Sequence, residues 1–309
     1  MTGELQLALG RWRRRVSLLE PLRSVVVDPD GRAAAAAVAL VLAAGAVCLV
    51  APVVPLLVVP LVLGVPHLAS EVRWLAVRRR LPRFFLGASI PVGLVLAGLG
   101  LWTWAHPENA VLSARLEVTL AAIWMVVGAA CGSGRRRTLV VTAVSGIGAL
   151  FLLVEPAAPM ARDAAVGTHA FATVALWMCL YRRKRLYAVP ALLLLTAGLG
   201  AVTFLRGPLV GQAFLLSVHY SVWLLLVPLD GAARSGPTPL ETRARQWSRD
   251  LGAAGLVAAV AGVGAVWLVT CVLGPQTARD AYIATVRFHV WSELALGALL
   301  LSGGRLPLR

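Results

Sequence analysis

Four of the five histidines lie inside long apolar stretches: His67 in GVPHLASEVRWL, His169 in VGTHAFATVALW, His219 in LLSVHYSVWLLLVP and His289 in VRFHVWSELALG. Glu71 follows His67 by four residues, and Glu293 follows His289 by four. On a helix that spacing puts each acid and its imidazole on one face. Ionisable groups at bilayer depth are costly to place, and for that reason they mark functional sites. Neutral imidazole ligates iron, copper or zinc. A set of His67, His169, His219 and His289 as metal ligands leaves an open position on a five- or six-coordinate iron. Glu71 and Glu293 are the candidate catalytic carboxylates. They either accept ring N–H groups behind the ligands or ligate directly and build a dinuclear centre. Tyr220 and Trp223, beside His219, are candidate walls of a substrate pocket. Two neighbours offer a plainer use for the acids, because Arg73 stands beside Glu71 and Arg287 beside His289, close enough in sequence for buried ion pairs.

The remaining reactive types are less informative. His106 sits in the polar segment HPEN and reads as a solvated loop residue. Cys48, Cys131, Cys179 and Cys271 occur singly in apolar runs, with no CxxC pairing, and read as small buried apolar residues. HExxH and GxSxG are absent, which argues against an intramembrane zinc or serine protease. The HxxxH and HxxHH repeats of membrane desaturases are absent as well.

The elements that must carry these residues follow from composition. The chain has 309 residues, 59% of them hydrophobic and only 14% charged, with a mean hydropathy of +0.81. A soluble domain is nearer 45–50% apolar and about 25% charged, so a soluble globule is excluded. A span needs about 20 apolar residues. The pattern predicts an all-α polytopic membrane bundle of ten helices, at about 33–53, 56–77, 84–105, 112–132, 138–155, 163–181, 186–204, 209–229, 251–273 and 280–302. The first break rests only on Pro52 and Pro55. Residues 1–32 are Arg-rich and read as a cytoplasmic amphipathic segment on anionic headgroups, ahead of one transmembrane domain over 33–309. Residues 230–250 read as a polar cytoplasmic loop.

The basic residues test that count. Lys+Arg total 29 against 14 acids, for a net charge of +15. With the N-terminus inside, 23 of the 29 fall on inner segments, among them Arg78–Arg80, Arg135–Arg137 and Arg182–Arg185. Only Arg162, Arg206 and Arg279 fall outside. This is the positive-inside pattern. It places both termini in the cytoplasm, points to a plasma (inner) membrane, and turns the basic excess into a topological signal rather than a nucleic-acid footprint. The four intramembrane histidines then sit on spans of one orientation. Counted from the outer ends, at 1.5 Å per residue, they share a slab of roughly 8 Å.

GVPH with an acid four residues on, together with single histidines on later helices including HYSVW, resembles the Brp/Blh-type bacterial membrane carotenoid dioxygenases. The resemblance covers short motifs on about four helices; Glu71 stands where that family would carry Asp, and its histidines are more numerous. It implies a polytopic fold, Fe2+ held by His67, His169, His219 and His289, and cleavage of a lipophilic substrate such as a carotenoid entering from the bilayer. Two other readings use the same residues. Histidines taken in pairs would hold haem in an electron-transfer protein, and histidines with Glu71 and Glu293 would form the proton path of a transporter, a role to which the prolines Pro60 and Pro66 lend a kinked helix.

Overall fold

The computed structural model describes residues 29–73, 81–153, 165, 169–171, 173–174, 188–226 and 240–303. These residues are almost wholly helical, with no strand among them. Nine α-helices are present among the described residues: α1 (Pro29–Val50), α2 (Val59–Val72), α3 (Arg83–Ala105), α4 (Ala110–Ala130), α5 (Arg135–Leu153), α6 (Ala188–Arg206), α7 (Pro208–Ser221), α8 (Leu240–Leu273) and α9 (Pro275–Leu301). Among the described residues, eight helical segments are long and apolar enough to cross a membrane. The chain is an apolar helix bundle of the multi-pass membrane type.

The break at Pro52 and Pro55 is real: α1 stops at Val50, and the chain re-enters through a π turn at Val54–Val58 that leads into α2. Nine of the ten expected spans coincide with a helix. The sixth, 163–181, lies largely outside the described residues, as do residues 1–28 of the N-terminal segment and the C-terminal arginines. The expected loop over 230–250 differs. Its second half is helical, and α8 begins at Leu240. A polar segment of good helix formers such as LETRARQ needs no loop once it can dock, and Arg73 of α2 pairs with Asp250 at 2.8 Å and lies over the Trp247 ring. The amphipathic and apolar parts of α8 meet at Gly252, whose φ of +66° only glycine adopts without strain. A Gly-Pro step, Gly274 then Pro275, turns the chain from α8 into α9, with proline at the first helical position where its missing N–H is harmless.

Helix α9 is the axis of the bundle. It packs on α3 and α4 along one side and on α2 and α8 along another. Its residues join both apolar cores. Trp291 and Ala295 pack with Phe85, Leu96 and Trp124, while Leu296 and Leu299 pack with residues of α1, α6 and α7. Contact is close enough that a Cβ on Gly100 or Gly128 would overlap the α9 carbonyls of Ala284 or Ala295. Small residues permitting such approach are what membrane helix pairs use in place of a hydrophobic drive. Helix α8 leaves its apolar face outward: Val257, Val260, Leu268 and Val272 are exposed.

Candidate metal centre

His67, His219 and His289 come from α2, α7 and α9, and two contacts hold those helices in register. Ser70, one turn after His67, donates to the Trp223 carbonyl at 2.9 Å, in the π turn Val222–Leu226 that follows His219. Gly64, one turn before His67, leaves the space that the Tyr282 hydroxyl of α9 fills; any Cβ there would overlap that phenol. Pro66 lacks the N–H that would close the preceding turn of α2, which loosens the helix just before His67. Helix α2 is thus tied to the segment one turn beyond His219 and to α9 two turns before His289.

The three imidazoles meet edge on. Nε2 of His67 lies 3.0 Å from Nε2 of His289 and 3.2 Å from Nε2 of His219, and the third side of the triangle is 3.4 Å. Glu293 completes the group, its Oε1 lying 3.7 Å from His219 Nε2 and 3.8 Å from His289 Nε2. All four side chains are buried, at 1%, 0%, 3% and 5% exposure for His67, His219, His289 and Glu293. Their donor atoms all lie within 4.8 Å of one another, so the four can hold a metal ion.

The edges of this triangle carry the argument. Imidazole nitrogens bound at about 2.0–2.1 Å to one ion stand about 3.0–3.4 Å apart in octahedral or tetrahedral geometry, which is the spacing found. Hydrogen bonding among the rings does not account for it as well. His289 Nδ1 lies 2.5 Å from Glu71 Oε2, and a neutral His289 donating there turns its Nε2 lone pair to the triangle. Among the described residues, Nδ1 of His67, Nδ1 of His219 and Oε1 of Glu293 meet no hydrogen-bond partner. Buried polar atoms are otherwise nearly always paired. Nitrogen and oxygen lone pairs gathered at one point suit a cation.

The carboxylates are crossed relative to the sequence pairs. Glu71 serves His289 of α9, not His67 four residues before it. Its other oxygen accepts from Ser292 at 3.3 Å. Glu293 accepts from Thr173 at 2.6 Å through Oε2, which leaves Oε1 toward the imidazoles. Neither acid pairs with the arginine next to it in sequence. Arg73 turns to Asp250, and Arg287 reaches Glu117 at 3.5 Å.

His169 is buried beside the cluster, its ring centroid 5.0 Å from that of His219 and 5.7 Å from that of His289. The group of four with converging donor atoms holds Glu293 and not His169. Tyr220 lies over His67 at 4.7 Å between centroids, and Trp223 stands 6.0 Å from His67. Thr173, Ser292 and Tyr282 belong to the site's surroundings and had no signal in the sequence beyond their helical spacing from His169, His289 and Pro275. Exposed His106 pairs with Glu108 at 3.2 Å in the connection between α3 and α4.

Comparison with family models, with curated proteins and with solved structures returns no match for this chain.

Proposed function

We propose that this protein is a non-haem iron oxygenase of the plasma membrane, acting on a lipophilic substrate such as a carotenoid. The observation that carries the reading is the Nε2 triangle of His67, His219 and His289, closed by Glu293. Three imidazoles and a carboxylate, with no thiolate, form a donor set that divalent first-row ions accept, iron among them. Iron bound there supplies dioxygen activation.

The residues of the chain do the rest. His67, His219, His289 and Glu293 would hold the ion, with Thr173 keeping one Glu293 oxygen occupied so that the other faces inward. Helices α2, α7 and α9 exclude water from the centre, since all four side chains are at most 5% exposed. Tyr220 and Trp223, both buried against His67, supply an apolar wall for a hydrocarbon substrate. A substrate dissolved in the bilayer suits a centre enclosed by apolar helices. The arginine distribution supports an orientation with both termini in the cytoplasm.

The donor geometry fits haem poorly. Three imidazole nitrogens from three helices converge within 3.4 Å of one another, which leaves no room for a macrocycle between any two of them. The deciding experiment is metal analysis of detergent-purified protein, wild type beside His67→Ala and His289→Ala. The expected result is stoichiometric iron in the wild type and none in either variant, with no haem band in the visible spectrum. A wild type without stoichiometric metal overturns the reading. Dioxygen uptake with β-carotene in mixed micelles then tests the substrate class.

A further inference from the structure

We infer that Glu71 is a positioning residue acting through His289, and that it makes His289 the anchoring imidazole of the three. The inference rests on the metal reading proposed above and deepens it by ranking the ligands. Its basis is an asymmetry. The outer nitrogen of His289 donates to the Glu71 carboxylate at 2.5 Å, while among the described residues the outer nitrogens of His67 and His219 meet no hydrogen-bond partner.

Glu71 is itself held for this task. Its second oxygen lies 3.3 Å from the Ser292 hydroxyl, whose single hydrogen it shares with the nearer His289 carbonyl at 2.8 Å, so the firm hold of α9 on this acid is the His289 contact. Arg73, two residues further along α2, would neutralise Glu71 if it turned back. It is engaged instead by Asp250 at 2.8 Å and by the face of Trp247. The charge of Glu71 is thereby directed at one imidazole. A carboxylate on the outer N–H of a ligating histidine fixes its tautomer and ring orientation and raises its basicity. His67 and His219, without such a partner, are oriented by ring packing: His67 lies 4.7 Å from Tyr220 and 4.7 Å from His219 between centroids. The hydrogen bond from α2 to α9 thus sets the metal affinity of a residue on another helix.

The test is titration of metal-stripped, detergent-solubilised full-length protein with Co2+ and with Zn2+. Wild type, Glu71→Ala, Glu71→Gln and Ser292→Ala are compared, with affinity read by chelator competition and site geometry by the visible absorption of bound Co2+. Glu71→Ala is expected to weaken binding by about 10- to 100-fold and to shift the Co2+ bands. Glu71→Gln, which still accepts the hydrogen bond but lacks the charge, is expected to restore the band shape at an intermediate affinity. Ser292→Ala shifts affinity in the same direction by less. If wild type binds stoichiometrically and Glu71→Ala matches it in affinity and spectrum, the inference fails and the metal site stands. A wild type that takes up neither ion brings down the metal reading and the inference with it. Should Glu71→Ala not fold, Glu71→Gln decides, because unchanged affinity there also overturns the role.

Discussion

Helix α9 carries two buried polar clusters, and they are built on opposite principles. On the side facing α3 and α4, Arg287 reaches Glu117 at 3.5 Å and the Gly100 carbonyl at 3.4 Å, while the Trp291 indole donates to Glu117 at 2.9 Å. A cation faces an anion, and donors face acceptors. On the side facing α2 and α7, three imidazole nitrogens and a carboxylate oxygen crowd together, and the two carboxylates meet imidazoles rather than a guanidinium. The first cluster is complementary within the protein and ties helices together. The second gathers ring nitrogens and a carboxylate oxygen at one point with no guanidinium among them, and its complement is a cation from outside the chain. Two residues on one helix, Arg287 and His289, thus divide structure from chemistry by the face they occupy.

That contrast can be broken experimentally. His67→Ala and His289→Ala should abolish metal binding while the helix content measured by circular dichroism stays at the wild-type level. A bound metal in either variant would deny the triangle its role. Arg287→Met should leave metal content unchanged but lower stability by about 3 kcal/mol, because it removes the guanidinium facing the buried Glu117 carboxylate; unfolding in mixed micelles measures it, and loss of metal would erase the distinction between the two clusters. Chelation should lower the melting midpoint of wild type and leave His67→Ala untouched, a difference worth about 2.7 kcal/mol when free metal stands at a hundred times its Kd. Gly64→Ala forces a Cβ against the Tyr282 phenol and should cost about 1–3 kcal/mol, relieved in part by Tyr282→Phe. The smallest effect belongs to Ser70→Ala, about 1 kcal/mol for a lost hydrogen bond, accompanied by weaker metal binding if α2 and α7 drift in register.

Much of the bundle was legible without coordinates. Runs of about 20 apolar residues can only be spans, and the prolines at 52 and 55 marked a helix break that the structure contains. The second half of the loop expected over 230–250 is helix instead, because polarity by itself does not separate a loop from a helix lying against a partner. What turned LETRARQWSRDL into the start of α8 was docking of Trp247 and Asp250 on Arg73, a contact across 177 residues of sequence. The histidines were legible as a group, since imidazoles in apolar runs are rare. Which acid serves which histidine was not. Spacing four residues apart pairs Glu71 with His67, but an acid on a helix face can as readily point to the neighbouring helix, and Glu71 does.

From its sequence this protein was bound to be a helical membrane bundle with a few expensive polar residues inside it, because apolar length and charge placement are local properties of a chain. Tertiary structure alone decided that His67, His219 and His289 share one point, that Glu293 joins them while His169 stands one ring away, and that Glu71 reaches across to His289. Those outcomes depend on helix rotation and register, which are set by packing among α2, α7 and α9. No local pattern encodes that packing.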